Sequence, residues 1–185
     1  MQVKYYILNG VSTAGKDTFA NMCKGYDDHR IYAVQFSSVG WIKEVAKDLG
    51  WDGKKDEKGR NLLSGLKHLL TAYDDIPFKK TVEQVRFWTE PEERSTPNYI
   101  DDYEYTLVFI DVREPEEIDK YKKEFNAKTI LIRNPEAEAK ITNESDMGVL
   151  NYEYDYVIWN DSTLDNLKKF AGTFIQEEIG DIYDI

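Results

Sequence analysis

Gly10-Val11-Ser12-Thr13-Ala14-Gly15-Lys16-Asp17-Thr18 decides how the chain is read. Two glycines spaced as G-x-x-x-x-G, the second followed by Lys16, match the phosphate-binding pattern. Glycine lets the backbone turn tightly enough for several N–H groups to point at one anion. A helix beginning at the loop's end adds its positive dipole terminus, and the Lys16 ammonium can reach terminal phosphates. The flanks have the order such a loop requires. Val3-Lys4-Tyr5-Tyr6-Ile7-Leu8 is β-branched and aromatic, as a strand should be, and runs into Asn9-Gly10. Phe19, Met22 and Cys23 then fall at helical spacing, with Gly25 as the expected stop. A plain strand-to-helix turn is the bland alternative.

The residue after the lysine is usually Ser or Thr, whose hydroxyl ligates magnesium; here it is Asp17, with Thr18 next. A carboxylate beside bound phosphates is costly unless a cation lies between them. Asp17 is therefore either a Mg²⁺ organiser or an acid placed to favour the first turn of a helix.

The 185 residues carry 24 basic and 35 acidic side chains, for a net charge of −11. That length fits one domain with a substantial core. The acidic balance argues against a general nucleic-acid or anionic-membrane surface. A small anion remains possible where a few Arg and Lys converge. Cys23 is the single cysteine, which excludes an internal disulfide or a cysteine zinc site. His29 and His68 are too scattered for a triad and read as structural or surface residues. No signal-peptide pattern opens the chain, and apolar runs such as Leu107–Ile110 are far too short to span a bilayer. The expectation is a cytoplasmic protein, monomer or homodimer, with no nucleic-acid or membrane partner.

Beyond the loop, Ile31–Phe36 reads as a second strand, and Ser37 or Ser38 as the cap of a helix with Trp41 or Ile42, Val45, Ala46 and Leu49 on one face. Residues 51–59 read as a charged loop. Leu62, Leu63, Leu66, Leu69, Leu70 and Tyr73 mark another helix, and Phe78, Val82, Val85 and Trp88 a third; Pro91–Asn98 reads as loop. Thr106–Ile110 is a continuous apolar run ending at Asp111, as in a strand buried on both faces. Glu114-Pro115-Glu116-Glu117 opens a helix. Strands follow at 129–132 and 156–159, and Ser162 can cap a final amphipathic helix. Strands joined by helices predict an α/β fold, a five-stranded parallel sheet with helices on both faces, and the phosphate-loop motif after the first strand makes the expected form the P-loop NTPase three-layer arrangement. A single domain over 1–185 would carry a helical insertion at 37–105, and the stretch from Arg133 to Asn151 is polar with few apolar anchors.

Ligands of such sheets bind beyond the carboxyl ends of the strands, which directs attention to Asp111, Arg113, Arg133, Asn160 and Asp161. Asp111 occupies the position of a second magnesium-organising carboxylate, or else is an N-terminal helix acid. It is a candidate on both the metal and the substrate side. The crossover 37–105 far exceeds the dozen or so residues a parallel connection needs. Its aromatics, Trp41 among them, and two of its arginines, Arg60 and Arg86, are suited to holding a base and its phosphate.

Gly-x-x-x-x-Gly-Lys-Asp-Thr resembles the loop of phage-type deoxynucleoside monophosphate kinases, within the P-loop nucleoside monophosphate kinases. A Gly-Lys-Asp loop also occurs in animal-type phosphomevalonate kinases. Asp111-Val112-Arg113-Glu114-Pro115 is similar to the Asp-Val-Arg-x-Pro segment of the phage-type enzymes. The resemblance implies a phosphate-contacting role for Arg113, a short lid-like segment at 133–151 whose Arg133 lies over the transferring phosphoryl group, and an acceptor-side role for Arg60. It also implies that adenine packs near Asn160-Asp161-Ser162. Asn143-Glu144-Ser145-Asp146 departs from the family's His-x-Ser-Glu-like segment, and Lys140 is the lid's only further base.

The resulting expectation is ATP- and Mg²⁺-dependent phosphoryl transfer to a small nucleotide, a (deoxy)nucleoside monophosphate. Lys16, Arg113 and Arg133 would be catalytic. Gly10, Ser12, Thr13, Ala14, Gly15, Lys16, Asp17, Thr18, Asn160 and Asp161 would hold ATP, and Asp17 and Asp111 the metal. Trp41, Arg60, Arg86 and Asp111 would contact the acceptor. The rivals are an adenylate- or phosphomevalonate-type kinase and a catalytically silent nucleotide-binding module. A GTPase switch is disfavoured because no Asn-Lys-x-Asp base-reading motif is present.

Overall fold

The computed structural model describes residues 1–24, 26, 30–90, 102–140 and 148–180. Gly25, His29, the Pro91–Asn98 loop and the Asn143–Asp146 segment lie outside the described residues. The chain forms two compact units, Met1–Gln35 with Tyr99–Ile185, and Phe36–Asn98.

The first unit holds a five-stranded parallel sheet in the order β2-β3-β1-β4-β5. Its strands are β1 Gln2–Asn9, β2 Ile31–Ser37, β3 Tyr105–Asp111, β4 Lys128–Arg133 and β5 Tyr156–Trp159. Its helices are α1 Lys16–Lys24, α5 Pro115–Phe125, the short α6 Pro135–Glu138 and α7 Leu164–Ile179. Central β1 pairs with β3, Ile7 opposite Ile110 and Leu8 opposite Asp111, and with β4, Leu8 opposite Ile130. Because side chains alternate across a strand, the sheet has two different faces. Tyr6, Leu8, Leu107, Phe109, Ile130, Ile132 and Ile158 form one core with Phe19 and Cys23 of α1 and Leu167, Ala171 and Phe174 of α7. Its centre is aromatic, with Tyr6 5.5 Å from Phe109 and Phe19 5.6 Å from Phe174 between ring centroids. On the opposite face Tyr5 stacks on Phe125 of α5 at 4.9 Å. Each such side chain, fully buried, contributes about 1.5–3 kcal/mol. Helices therefore cover both faces, as the alternation of elements predicts.

The second unit contains α2 Gly40–Asp48, α3 Glu57–Asp74 and α4 Ile76–Thr89, packed on one another. Two local expectations change here. Val39, not Ser37 or Ser38, precedes α2, and its side chain makes no capping bond. Helix α3 starts at Glu57, inside the stretch that reads as loop, because the Asp56 carboxylate accepts the Gly59 N–H at 2.9 Å. Gly59 is required there: a Cβ would stand 2.0 Å from the Lys54 carbonyl oxygen. Asp75, left-handed at φ 49°, ends α3 and begins α4, with Pro77 in the next turn. Pro77, Thr81, Val85 and Thr89 form the buried stripe of α4. Leu62, Leu69 and Tyr73 of α3 are exposed. No helix among the described residues is long and apolar enough to cross a membrane.

Candidate functional site

At the carboxyl end of β1 the chain turns from Asn9 through Gly10–Gly15 into α1. Three residues of this turn have positive φ: Gly10 at 146°, Thr13 at 65° and Gly15 at 105°. Such reversals give the curl in which backbone N–H groups converge on an anion. Each glycine also answers to a neighbour. A Cβ on Gly10 would meet the Ile132 carbonyl oxygen of β4 at 2.6 Å, and one on Gly15 the Asn160 Nδ2 at 2.5 Å.

The loop is braced from three sides. Buried Asn9 accepts the Gly10 N–H on Oδ1 at 2.7 Å and donates from Nδ2 to the Arg113 carbonyl at 3.4 Å. Asn160, just past β5, donates from Nδ2 to the Ala14 carbonyl at 2.9 Å and from its backbone to the Arg133 carbonyl at 2.7 Å. The Phe19 N–H closes the first turn of α1 onto the Gly15 carbonyl at 2.9 Å. Lys16 folds over the loop, its Nζ donating to the carbonyls of Gly10 at 2.7 Å and Val11 at 3.1 Å. Ser12 and Thr13 are exposed and Ala14 is buried; Thr18 is half-buried on α1.

Beside the loop, two carboxylates share one donor. Gln35 Nε2 lies 2.9 Å from Asp17 Oδ1 and 2.8 Å from Asp111 Oδ2. Strand alternation explains the meeting. Gln35 continues the Ile31, Ala33 series on β2, and Asp111 the Leu107, Phe109 series on β3, and both series face α1. Asp17 stands in the first turn of α1. Among the described residues no three His, Cys, Asp or Glu side chains gather as a metal cage. Two carboxylates fit Mg²⁺ nonetheless, since that ion commonly takes one or two carboxylates and completes its shell with water and substrate phosphates.

Arg133, at the end of β4, is held in place. Its Nε and Nη2 donate to Glu138 Oε1 and Oε2, each at 2.6 Å, and its guanidinium lies 4.8 Å from the Trp159 ring centroid. The fork-to-fork hydrogen bonds hold the Glu138 carboxyl below the usual carboxylate range, against the opposing effect of burial. Arg113 and Asp161 are exposed past the ends of β3 and β5. Trp41 is half-buried on α2, Arg60 exposed in the first turns of α3, and Arg86 exposed on α4 at 3.7 Å from Glu90. His68 is exposed on α3.

The strand ends of the first unit thus bring together the loop, Asp17, Asp111 and Asn160. Asn9 and Gln35 escape a reading of the sequence alone. Each left a signal: a polar residue abutting Gly10, and a polar residue on the buried face of a strand.

No protein-family model matches the sequence, and no curated protein does. Solved structures are similar over nearly the whole chain at low identity. TT1252 from Thermus thermophilus has a TM-score of 0.51 at 12% identity, covering 96% of this chain and 98% of that one. A sugar kinase from Janibacter gives 0.49 at 11%, covering 94% and 95%. The Mycobacterium tuberculosis APS kinase CysC, in complex with AMPPNP and APS, gives 0.49 at 14%, covering 95% and 98%. The first of these shares the fold, and at such identity the likeness extends no further. Parallel sheet, helices on both faces and a glycine loop between β1 and α1 make this the P-loop NTPase three-layer fold.

Proposed function

We propose that the chain is a kinase transferring the γ-phosphoryl group of ATP to a (deoxy)nucleoside monophosphate. The observation that carries this reading is the Lys16 ammonium resting on the Gly10 and Val11 carbonyls at the mouth of a loop curled for phosphate. The resemblance of Gly10–Thr18 and Asp111–Pro115 to the phage-type kinases supports the acceptor class. Transfer of this kind needs positioning and neutralised charge rather than a covalent intermediate. Lys16 exchanges its carbonyl partners for phosphate oxygens. Arg113 adds positive charge past β3, and Asn160 and Asp161 border the adenine. Asp17 and Asp111 would hold Mg²⁺, which when bound neutralises charge on the transferring phosphoryl group. Arg60 would contact the acceptor, with Trp41 and Arg86 as further contacts.

The Arg133–Glu138 clamp favours a second reading, a nucleotide-binding module without transfer, because it commits the lid arginine to a carboxylate and a ring. Coupled ADP release over a panel of nucleoside monophosphates separates the two. Turnover with one monophosphate supports the kinase. ATP binding without turnover on any member supports the module. For the acceptor assignment, losing one charged hydrogen-bond partner costs about 1.5–3 kcal/mol, or about 10- to 150-fold in kcat/KM. Arg60→Ala is expected to raise the acceptor KM far more than the ATP KM in steady-state kinetics with each substrate varied. Equal changes for both substrates would remove Arg60 from the site.

A further inference from the structure

Two carboxylates brought close together repel, and a cation between them would relieve that repulsion. In this chain a neutral amide already joins them. Gln35 Nε2 donates to Asp17 Oδ1 at 2.9 Å and to Asp111 Oδ2 at 2.8 Å, so both N–H groups of one NH₂ are used and the two oxygens lie within two hydrogen-bond lengths of each other. The three side chains come from three elements, β2, α1 and β3, and nothing local in the sequence aligns them. A carboxylate offers about four lone-pair sites, so the bond to Gln35 does not by itself use up either carboxylate as a metal ligand.

We infer that Gln35 is a positioning residue of the phosphate site: it fixes the spacing and orientation of Asp17 and Asp111 so that a divalent cation entering with nucleotide finds both carboxylates already converged. This rests on the proposed role of those two aspartates. The physical basis is orientation of metal ligands by a second layer of hydrogen bonds, whose removal typically weakens metal affinity by about 10- to 100-fold. Gln35 is suited to the task in length and charge. A shorter Asn would not reach both partners from the same backbone, and a Glu would set a third negative charge against the pair.

The test uses Mn²⁺ as the probe, titrated by electron paramagnetic resonance against the whole chain with a non-hydrolysable ATP analogue present. Gln35→Leu is expected to weaken Mn²⁺ about 10- to 100-fold, while affinity for the analogue in chelator stays within about twofold. A purely structural role would move both affinities or neither. Gln35→Glu supplies the second measurement and guards against misfolding of the leucine variant. Its Tm should fall in chelator and recover on adding Mn²⁺, which the wild type should not require. Asp17→Asn separates the two layers of the argument. If it weakens Mn²⁺ while Gln35→Leu does not, the positioning role is overturned and the metal assignment stands. If neither variant changes Mn²⁺ affinity, the metal assignment falls and the role of Gln35 falls with it.

Discussion

The two ends of the sheet each hold acidic side chains, and different donors meet them. Near the amino ends of the strands, Glu178 of α7 is buried and gathers donors from three strands. Tyr6 Oη donates to its Oε2 at 2.9 Å, Lys128 Nζ to its Oε1 at 2.7 Å, and Tyr156 Oη to Oε1, while Lys4 Nζ stands 3.7 Å from Oε2. Burial alone would raise its pKa, but the bonds from Lys128, Tyr156 and Tyr6 outweigh burial and hold it below the ordinary carboxylate value. This charge is answered within the fold by cations and phenols. At the carboxyl ends, Asp17 and Asp111 are joined by a neutral amide, beside a loop bent through three positive-φ residues. One end is a joint closed by the fold's own donors, and the other carries the two carboxylates proposed to receive a metal ion.

The strongest way to break this contrast is to exchange the expected phenotypes. Lys16→Ala should lower kcat/KM for phosphoryl transfer by about 10²- to 10³-fold, the scale for losing one charge-stabilising donor, and leave Tm nearly unchanged. Glu178→Ala should do the reverse. Leaving a buried donor such as the Tyr6 hydroxyl unsatisfied costs about 1–3 kcal/mol, and each kcal/mol corresponds to about 2–4 °C in Tm for a chain of this size. Thermal unfolding beside steady-state kinetics decides both. A Lys16→Ala protein that melts early, or a Glu178→Ala protein that is stable but inactive, would erase the distinction between the two ends.

Strain in the loop gives a smaller and sharper test. Gly10 approaches a backbone oxygen, that of Ile132, whereas Gly15 approaches the Asn160 side chain. A backbone in a sheet cannot yield; a side chain can be shortened. Holding a non-glycine residue in a sparsely populated backbone region costs about 1–3 kcal/mol, so either Gly→Ala change should weaken ATP-analogue binding. Asn160→Ala alone loses one hydrogen bond to the Ala14 carbonyl, about 0.5–1.5 kcal/mol. In that background Gly15→Ala should cost less than it does in the wild type, while Gly10→Ala should cost the same. Calorimetric binding of the analogue to the single and double variants measures the difference. Strict additivity at Gly15 would show that its φ alone, and not Asn160, requires glycine there.

What could be read in the sequence follows the range of the interactions. The loop was legible because its glycines, Lys16 and helix start lie within nine residues. The sheet was legible because buried parallel strands are continuous apolar runs, as in Leu107–Ile110. Gln35 was not, because its meaning depends on strand order placing β2 beside β3. Arg133 was visible as a strand-end arginine, but the clamp needs Glu138 brought back by the turn of α6, with Trp159 opposite Arg133 in register. Glu178 lies in the polar run Gln176-Glu177-Glu178, whose composition alone does not mark one of the three as buried. Its spacing of four from buried Phe174 was the signal that it faces inward.

The smallest expected effect concerns pH and isolates the Glu178 joint. Its carboxyl is held below the ordinary 4.5, so it binds a proton less readily folded than unfolded. By linkage the resulting stability is present above about pH 4.5 and is lost as pH falls through the folded value. Tyr6 and Tyr156 are shifted the other way. Burial first, then the neighbouring carboxylate, raises both above the ordinary 10.0, and the bond to Glu178 raises Lys128 above 10.5. Their contribution is therefore present below about pH 10 and is lost as pH rises beyond it. Glu178→Gln removes the acid-side dependence while keeping an acceptor for the phenols. With 35 acidic residues the wild type has many protons to take up on acidification, so only the difference between the two proteins is informative. A single linked proton limits that difference to about 1.4 kcal/mol per pH unit. Urea unfolding from pH 6 down to about pH 3 should show the wild type losing stability more steeply than Glu178→Gln. Parallel curves would mean that Glu178 titrates alike in both states, and that its donors order the amino end of the sheet without stabilising it through charge.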